Sequence, residues 1–253
     1  MSAGVLNLYE MSPFIYDEYM VTEMEKRNFD AVLDSIKRHR KPQGFTSVLD
    51  MCCGTGLFRK GWLSELENIV YAGVDINQSF IRYAKLRTPD MLDHYVHGDA
   101  ASVDLRKEFD FVIGTSAYHH IKDEEKVKFL ENMKKHLKKD GKAVIYEKFI
   151  HPFTNRIEAA RSGITFYTER IYDMMQKENL SETQLFALYN ELYLTSVRKD
   201  EYKVPYAHFR KDLKKTGFKI IEEKKLWPED NRFKDQKVGD FVLVLRKKKS
   251  YLL

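Results

Sequence analysis

The chain has 253 residues, 43% hydrophobic and 13% aromatic, with 12 Gly and 6 Pro. That length predicts one domain whose core needs no staple, and the composition excludes collagen-like, low-complexity and globally disordered chains. The net charge of +5, from 43 Lys+Arg against 38 Asp+Glu, comes in short clusters such as Lys134-Lys135, Lys214-Lys215 and residues 246–249, with acidic residues between several of them; this is the pattern of a solvated surface, not of a nucleic-acid-binding stripe.

Helix comes first. Ser12-Pro13 is a start signal, and Phe14, Tyr19, Met24, Phe29, Val32, Leu33 and Ile36 recur at helix-compatible steps until residues 41–44 break the pattern. Strand and helix then alternate. Strands are predicted at residues 46–51, 69–75, 94–97, 109–114 and 142–149. Between them come helices at residues 58–66, from Ser79 (as cap) to about 87, and from Asp123 to about 137, the last stopped by Asp140-Gly141. Parallel pairing through right-handed crossovers follows, which makes a doubly wound α/β sheet.

The rhythm changes at residue 154. Two helices fill residues 154–197, the second starting after Ser181, and a further helix runs from about Pro205 to Lys215 with Gly217 as its stop. Strands at residues 218–226 and 238–246 follow with no helix between them, so they should pair as a hairpin-like unit at an antiparallel edge of a seven-stranded sheet. The expected organisation is an N-terminal helical segment (1–45), a Rossmann-like core (46–150), a helical insertion (151–204) and the C-terminal part of the sheet (205–253).

In such sheets ligands bind beyond the carboxyl ends of the strands. Three features fall at those ends: the loop Asp50-Met51-Cys52-Cys53-Gly54-Thr55-Gly56, the acidic Asp75 of Gly73-Val74-Asp75, and Gly98-Asp99-Ala100. Asp75 is placed to accept ribose hydroxyls. A dinucleotide fingerprint would want a third glycine three residues after Gly56, where Arg59 stands. Adjacent Cys52 and Cys53 cannot easily close a structural disulfide, and no metal is expected, because beyond His119-His120 the histidines show no ligand spacing. No apolar run reaches the roughly 18–20 residues of a membrane span. Residues 1–10 show no secretory pattern, and a cytoplasmic protein is expected.

The runs VLDMCCGTG, GVDIN, HGDA, FDFVIGTSAYHHI and KKDGKAVIYEKF, in order and at suitable spacing, resemble the class I S-adenosylmethionine (SAM)-dependent methyltransferases over residues 46–150, and in layout over 205–246. The resemblance implies SAM as cofactor. It implies that Asp50, Cys52 (where the family usually has glycine), Gly54 and Gly56 line the methionine end. Asp75 would take the ribose, Ile76 would pack on adenine, Asp99 and Ala100 would read its edge, and Thr115 would close the site. Tyr9, Phe14, Tyr16 and Tyr19 lie where the family folds a segment over SAM, with aromatic faces suited to a sulfonium. The insertion would build the acceptor pocket, with Arg170 and Arg198 among its candidate residues.

Residues 114–120, Gly-Thr-Ser-Ala-Tyr-His-His, lack the prolines of base-modifying relatives, so the small-molecule branch is expected, with His119 or His120 as general base. A weaker likeness in layout to carboxy-SAM synthase leaves SAM-modifying or SAM-cyclising chemistry as an alternative, beside an RNA methyltransferase and a non-catalytic SAM-binding protein. The expected partner is a small-molecule acceptor, with no nucleic acid or membrane, for a monomer or homodimer.

Overall fold

The computed structural model describes residues 12–88 and 92–248. Tyr9, residues 1–10 and Lys249 of the C-terminal basic run lie outside the described residues. Two helices open the fold, α1 (Pro13–Met20) and α2 (Glu23–His39). The sequence pattern read them as one; the break is at Val21-Thr22, where Thr22 leaves the helical region and its hydroxyl caps α2 at the Glu25 N–H.

Next come β1 (Thr46–Met51), α3 (Leu57–Gly61), β2 (Ile69–Asp75), α4 (Gln78–Arg87), β3 (Asp93–His97), β4 (Phe109–Thr115), α5 (Lys126–Lys135) and β5 (Leu137–Phe149). Three-residue 3-10 turns precede or follow several of these, so the expected helix over 123–137 is a 3-10 turn at 123–125 followed by α5. Asn77, not Ser79, caps α4, because its side-chain oxygen accepts from both the Ser79 and Phe80 N–H groups. Asp140-Gly141 does not end the helix. It lies within β5, at an irregularity that shifts the register against β4, where a Cβ on Gly141 would fall 2.9 Å from the Asp110 carbonyl oxygen.

The insertion forms α6 (Arg156–Lys177) and α7 (Glu182–Val197), the latter started by a Ser181/Gln184 capping box. Then α8 (Tyr206–Thr216) ends on left-handed Gly217, and β6 (Phe218–Trp227) and β7 (Gly239–Lys247) complete the sheet. Strand order is β3-β2-β1-β4-β5-β7-β6. The pairings β1·β2, β1·β4, β2·β3 and β4·β5 are parallel, and β7 runs antiparallel to both β5 and β6. The chain winds one way from β1 to β3 and the other way from β4, which puts the switch point between β1 and β4.

Alternate residues of the central strands feed two cores, as expected of a sheet covered on both faces. Val48, Tyr71, Phe111, Ile113 and Val144 face α2 and α3, and Leu49, Val74, Val112, Ile145 and Leu243 face α5 and α8. A third cluster joins α6 and α7 to Trp227 and Phe233. A buried charge network ties these layers. The Arg170 guanidinium donates to Glu25 at 2.7 Å and to Asp240, and Asn28 and Tyr146 complete the bonds to the same two carboxylates. No described helix is long and apolar enough to cross a membrane.

Candidate functional site

The loop after β1 is held from below. The N–H groups of Cys52 and Cys53 both donate to the Val74 carbonyl at 2.9 Å, and a Cβ on Gly73 would stand 2.8 Å from Cys53 Sγ, so β2 needs a glycine for the loop to lie on it. Cys52 adopts φ 68°, a left-handed conformation that favours glycine. Gly54 N–H then reaches the Asp75 carboxylate at 2.8 Å, and the Asn77 N–H reaches its other oxygen at 2.8 Å. Burial raises the Asp75 pKa against these two bonds.

A cavity of about 350 Å³ opens beyond the ends of β1, β2 and β4. That is within the roughly 300–1,000 Å³ of small-molecule pockets. Its walls include Cys52, Gly54, Asp75, Ile76, Asp99, Ala100, Thr115, Tyr16 and His120. Asp50, Gly56 and His119 are not among them. Asp50 is fully buried behind the loop, where it accepts from the Tyr71 hydroxyl at 3.0 Å while Oδ1 has no hydrogen-bond partner; burial pushes its pKa up to about 7. Gly56, at φ 73°, starts α3, and a Cβ there would lie 3.1 Å from Tyr95 Oη and 3.2 Å from Ala84 Cβ, so its smallness serves packing onto β3 and α4. Arg59, at the third-glycine position, is buried against Asp93 with its guanidinium over the Tyr71 ring.

Helix α1 lies against this loop. The Tyr16 ring packs 4.8 Å from Phe80 and faces Gly54, and Asp17 accepts from Thr55 Oγ1 and Arg87. Tyr19, by contrast, is turned to α7, where its hydroxyl donates to Glu191.

Beside the cavity lies a smaller chamber of about 20 Å³, room for roughly one water. Tyr16, Met20, Ser116 and His120 line both spaces, and His119, Lys148, Glu191 and Glu201 belong to the chamber. His119 Nδ1 lies 2.5 Å from Glu147 Oε1. Burial lowers the His119 pKa, with Lys203 adding to the effect, and burial raises Glu147 to about 7. His120 Nδ1 lies 3.0 Å from the Asp200 carbonyl oxygen. A carbonyl only accepts, so this geometry assigns the hydrogen to Nδ1 and the lone pair to Nε2. One donor atom each of His119, His120 and Glu201 fall within 4.8 Å of one another, a spacing a metal ion could use, but Lys203 Nζ already donates to Glu201.

Sequence reasoning missed Glu147, Lys148, Glu191, Glu201 and Lys203. The first two carried a signal, since two consecutive charges inside an apolar strand need buried partners. Glu191, Glu201 and Lys203 come from the insertion, and only the fold brings them to the histidines. Of the insertion's arginines, Arg170 is spent on the ion pairs with Glu25 and Asp240, and Arg198 pairs with Asp123 and donates to the Lys203 carbonyl at 2.8 Å. Arg198 also lines an open cleft of about 870 Å³ with Phe153, Arg156 and Tyr202.

A family model described as a methyltransferase domain matches residues 48–141. An uncharacterized methyltransferase of Alkaliphilus oremlandii is 29% identical over 164 residues, covering 62% of this chain and 72% of that protein. Among solved structures, an S-adenosylmethionine-dependent methyltransferase from Clostridium acetobutylicum superposes with a TM-score of 0.60 at 14% identity, covering 96% of this chain and all (100%) of that one. Magnesium protoporphyrin IX methyltransferase from Synechocystis, solved with bound SAM, gives 0.57 at 13% identity, covering 96% and 88%. These two structural likenesses are likenesses of fold.

Proposed function

We propose that this chain, a member of the class I SAM-dependent methyltransferases with SAM as its cofactor, moves the donor methyl onto a small-molecule acceptor by in-line displacement and releases S-adenosylhomocysteine. The observation that carries this reading is the wall shared by two spaces. Tyr16, Met20, Ser116 and His120 stand between a cofactor-sized cavity and a polar chamber, where a donor and a nucleophile would have to meet.

The residues around the larger cavity suit SAM. Asp75 spends one lone pair of each oxygen on Gly54 and Asn77 N–H groups, which leaves acceptor capacity for two ribose hydroxyls. Ile76, 72% exposed at the rim, offers an apolar face to adenine, with Asp99 and Ala100 at the base edge. Cys52 and Gly54 bound the methionine end, Thr115 closes the floor, and Tyr16 brings an aromatic face toward the sulfonium. Asp50 lies behind the loop, where it accepts from the Tyr71 hydroxyl, and not in the cavity wall. Helix α1 acts as the lid, latched through Asp17 to Thr55 and Arg87.

Bound SAM supplies an electrophilic methyl on a sulfonium, so the protein's main task is to hold a nucleophile in line with it. Ser116, Lys148 and the tyrosines fix the acceptor's polar head in the chamber. His120, with its hydrogen held on Nδ1 by Asp200, takes the acceptor proton at Nε2. His119 is held against Glu147 and positions the wall.

Calorimetric titration with SAM and with S-adenosylhomocysteine, on protein checked by mass spectrometry for co-purified ligand, tests the cofactor site. A screen of small hydroxyl, amine and thiol acceptors read by S-adenosylhomocysteine release then tests the transfer. Saturable binding followed by acceptor-dependent release is expected. SAM consumption without any acceptor would replace methyl transfer by chemistry on SAM itself, and steeply salt-dependent RNA methylation would overturn the small-molecule acceptor.

A further inference from the structure

Glu191 of α7 is a carboxylate that the fold buries without an ion pair. It is 8% exposed and borders the one-water chamber beside the larger cavity. One oxygen accepts the Tyr19 hydroxyl and the other the Tyr167 hydroxyl, the latter at 2.6 Å, which uses two of roughly four lone pairs. Burial would raise its pKa, but the charges of Lys203 and Lys148 and the two tyrosine hydroxyls bring it down to about 2. The group is therefore ionised, and an ionised side chain this deep is ordinarily paired.

The neighbouring cations are committed to other carboxylates. Lys148 Nζ stands 3.2 Å from Glu25 and 3.1 Å from Ser116 Oγ, Arg170 bridges Glu25 and Asp240, and Lys203 donates to Glu201. Glu191 has no contact ion pair among the described residues. Its charge faces a chamber that adjoins the cofactor-sized cavity across Tyr16, Met20, Ser116 and His120.

We propose that the acceptor is an amine, held as its ammonium in the chamber against Glu191, and that the reaction is N-methylation. The proposal rests on the methyl-transfer reading above and names the acceptor class. A neutral alcohol or thiol would leave the Glu191 charge uncancelled, and a thiolate or alkoxide would be repelled by Glu191 and Glu201. An ammonium head is about the size of the single water for which the chamber has room. The rings of Tyr16 and Tyr19 line the same space, as suits a cation. The ammonium gives one proton to His120 Nε2, a loss that the nearby charges of Lys148 and Lys203 favour. Glu201 Oε1, 3.6 Å from His120 Nδ1, faces the imidazolium so formed. The amine nitrogen then bonds to the methyl carbon as the carbon–sulfur bond breaks, with that electron pair staying on sulfur. S-adenosylhomocysteine leaves, the methylated ammonium keeps its charge beside Glu191, and His120 passes its proton to water.

Calorimetry on the S-adenosylhomocysteine complex tests the chamber, with methylammonium chloride and methanol as probes small enough to enter it and potassium chloride to hold ionic strength constant. Methylammonium is expected to bind saturably and methanol not to bind. Glu191→Gln, which can still bond both tyrosines, should weaken methylammonium at least about tenfold with S-adenosylhomocysteine affinity unchanged. No saturable methylammonium binding, equal binding of methanol, or binding untouched by Glu191→Gln overturns the proposal. The wild-type comparison of the two probes decides it even where that variant fails to fold. Turnover of matched amines, alcohols and thiols of one carbon skeleton, with products identified by mass spectrometry, gives a second reading. Methylation of an alcohol or thiol whose matched amine is inert overturns the proposal while leaving methyl transfer standing. Protein that binds no S-adenosylhomocysteine at all overturns both.

Discussion

His119, in the wall of the small chamber, holds its Nδ1 2.5 Å from Glu147 Oε1. Its sequence neighbour His120 faces the cavity instead and gives its Nδ1 hydrogen to a backbone carbonyl. Two adjacent imidazoles, indistinguishable in sequence, are therefore expected to do different work. His120→Gln should lower methyl transfer about 10²–10⁴-fold with SAM affinity little changed; His119→Gln should chiefly destabilise the fold, because Glu147 loses the imidazole and keeps only the backbone N–H groups of residue 119 and Lys148.

The pH profile separates them further. Burial lowers the His120 pKa; Lys203 adds to this, while Glu201, Glu191 and the Asp200 carbonyl oppose it. The neutral form is the base, so kcat/KM should rise with pH through a value below the usual 6.5 and be flat at neutrality. An acidic limb that persists unchanged in His120→Gln would assign the base elsewhere.

Asp75→Ala should weaken SAM binding by about 100-fold or more, as expected for two charge-assisted hydrogen bonds of roughly 1.5–3 kcal/mol each. Calorimetry reads this directly. Unchanged affinity in a folded variant would refute the placement of the ribose.

Asp50 gives a prediction about stability. Its folded pKa of about 7 lies above the ordinary 3.8. Between those values the folded carboxyl keeps its proton and the unfolded one has lost it, so the stability it contributes is present at low pH and is lost as pH rises to about 7. Asparagine mimics the protonated form and can still accept from Tyr71. Asp50→Asn should match wild type near pH 4 and exceed it above pH 7, by on the order of 2–4 kcal/mol. Urea unfolding of both proteins at the two pH values checks it, and an equal difference at both would sink the argument.

Arg170 is buried between Glu25 and Asp240. Replacing it by Met leaves two carboxylates without their shared cation, which should cost about 3–5 kcal/mol. Adding Glu25→Gln and Asp240→Asn should return much of that loss. No recovery in the triple variant would mean that the shape of Arg170, and not its charge, is what the site requires.

Much of the frame was legible because strand and helix periods alternate cleanly from Thr46 to Phe149, and Ser181 and Gly217 punctuate helices by local chemistry alone. The glycine loop, Asp75 and His120 come together at the cavity because they end successive strands, which is a matter of topology that spacing reveals. What could not be read depends on tertiary choice. The break at Thr22 and the passage of Gly141 through β5 are local ambiguities settled by packing. The separation of His119 from His120 depends on Glu147 and on Asp200-Glu201, 80 residues away in the case of Asp200. Asp50 and Gly56 stand behind the loop because a tight turn can present only some of its residues forward.

The position of β7 has a consequence for how the molecule is made. The final strand of the sheet sits between β5 and β6, so during synthesis β6 has no neighbour to pair with until residues 239–247 have left the ribosome. The same strand brings Asp240 to Arg170. From the completion of β5 until then, a nascent chain carries an open sheet edge, and its Arg170 has Glu25 but not Asp240 as a partner; both are completed in one step, by insertion of β7.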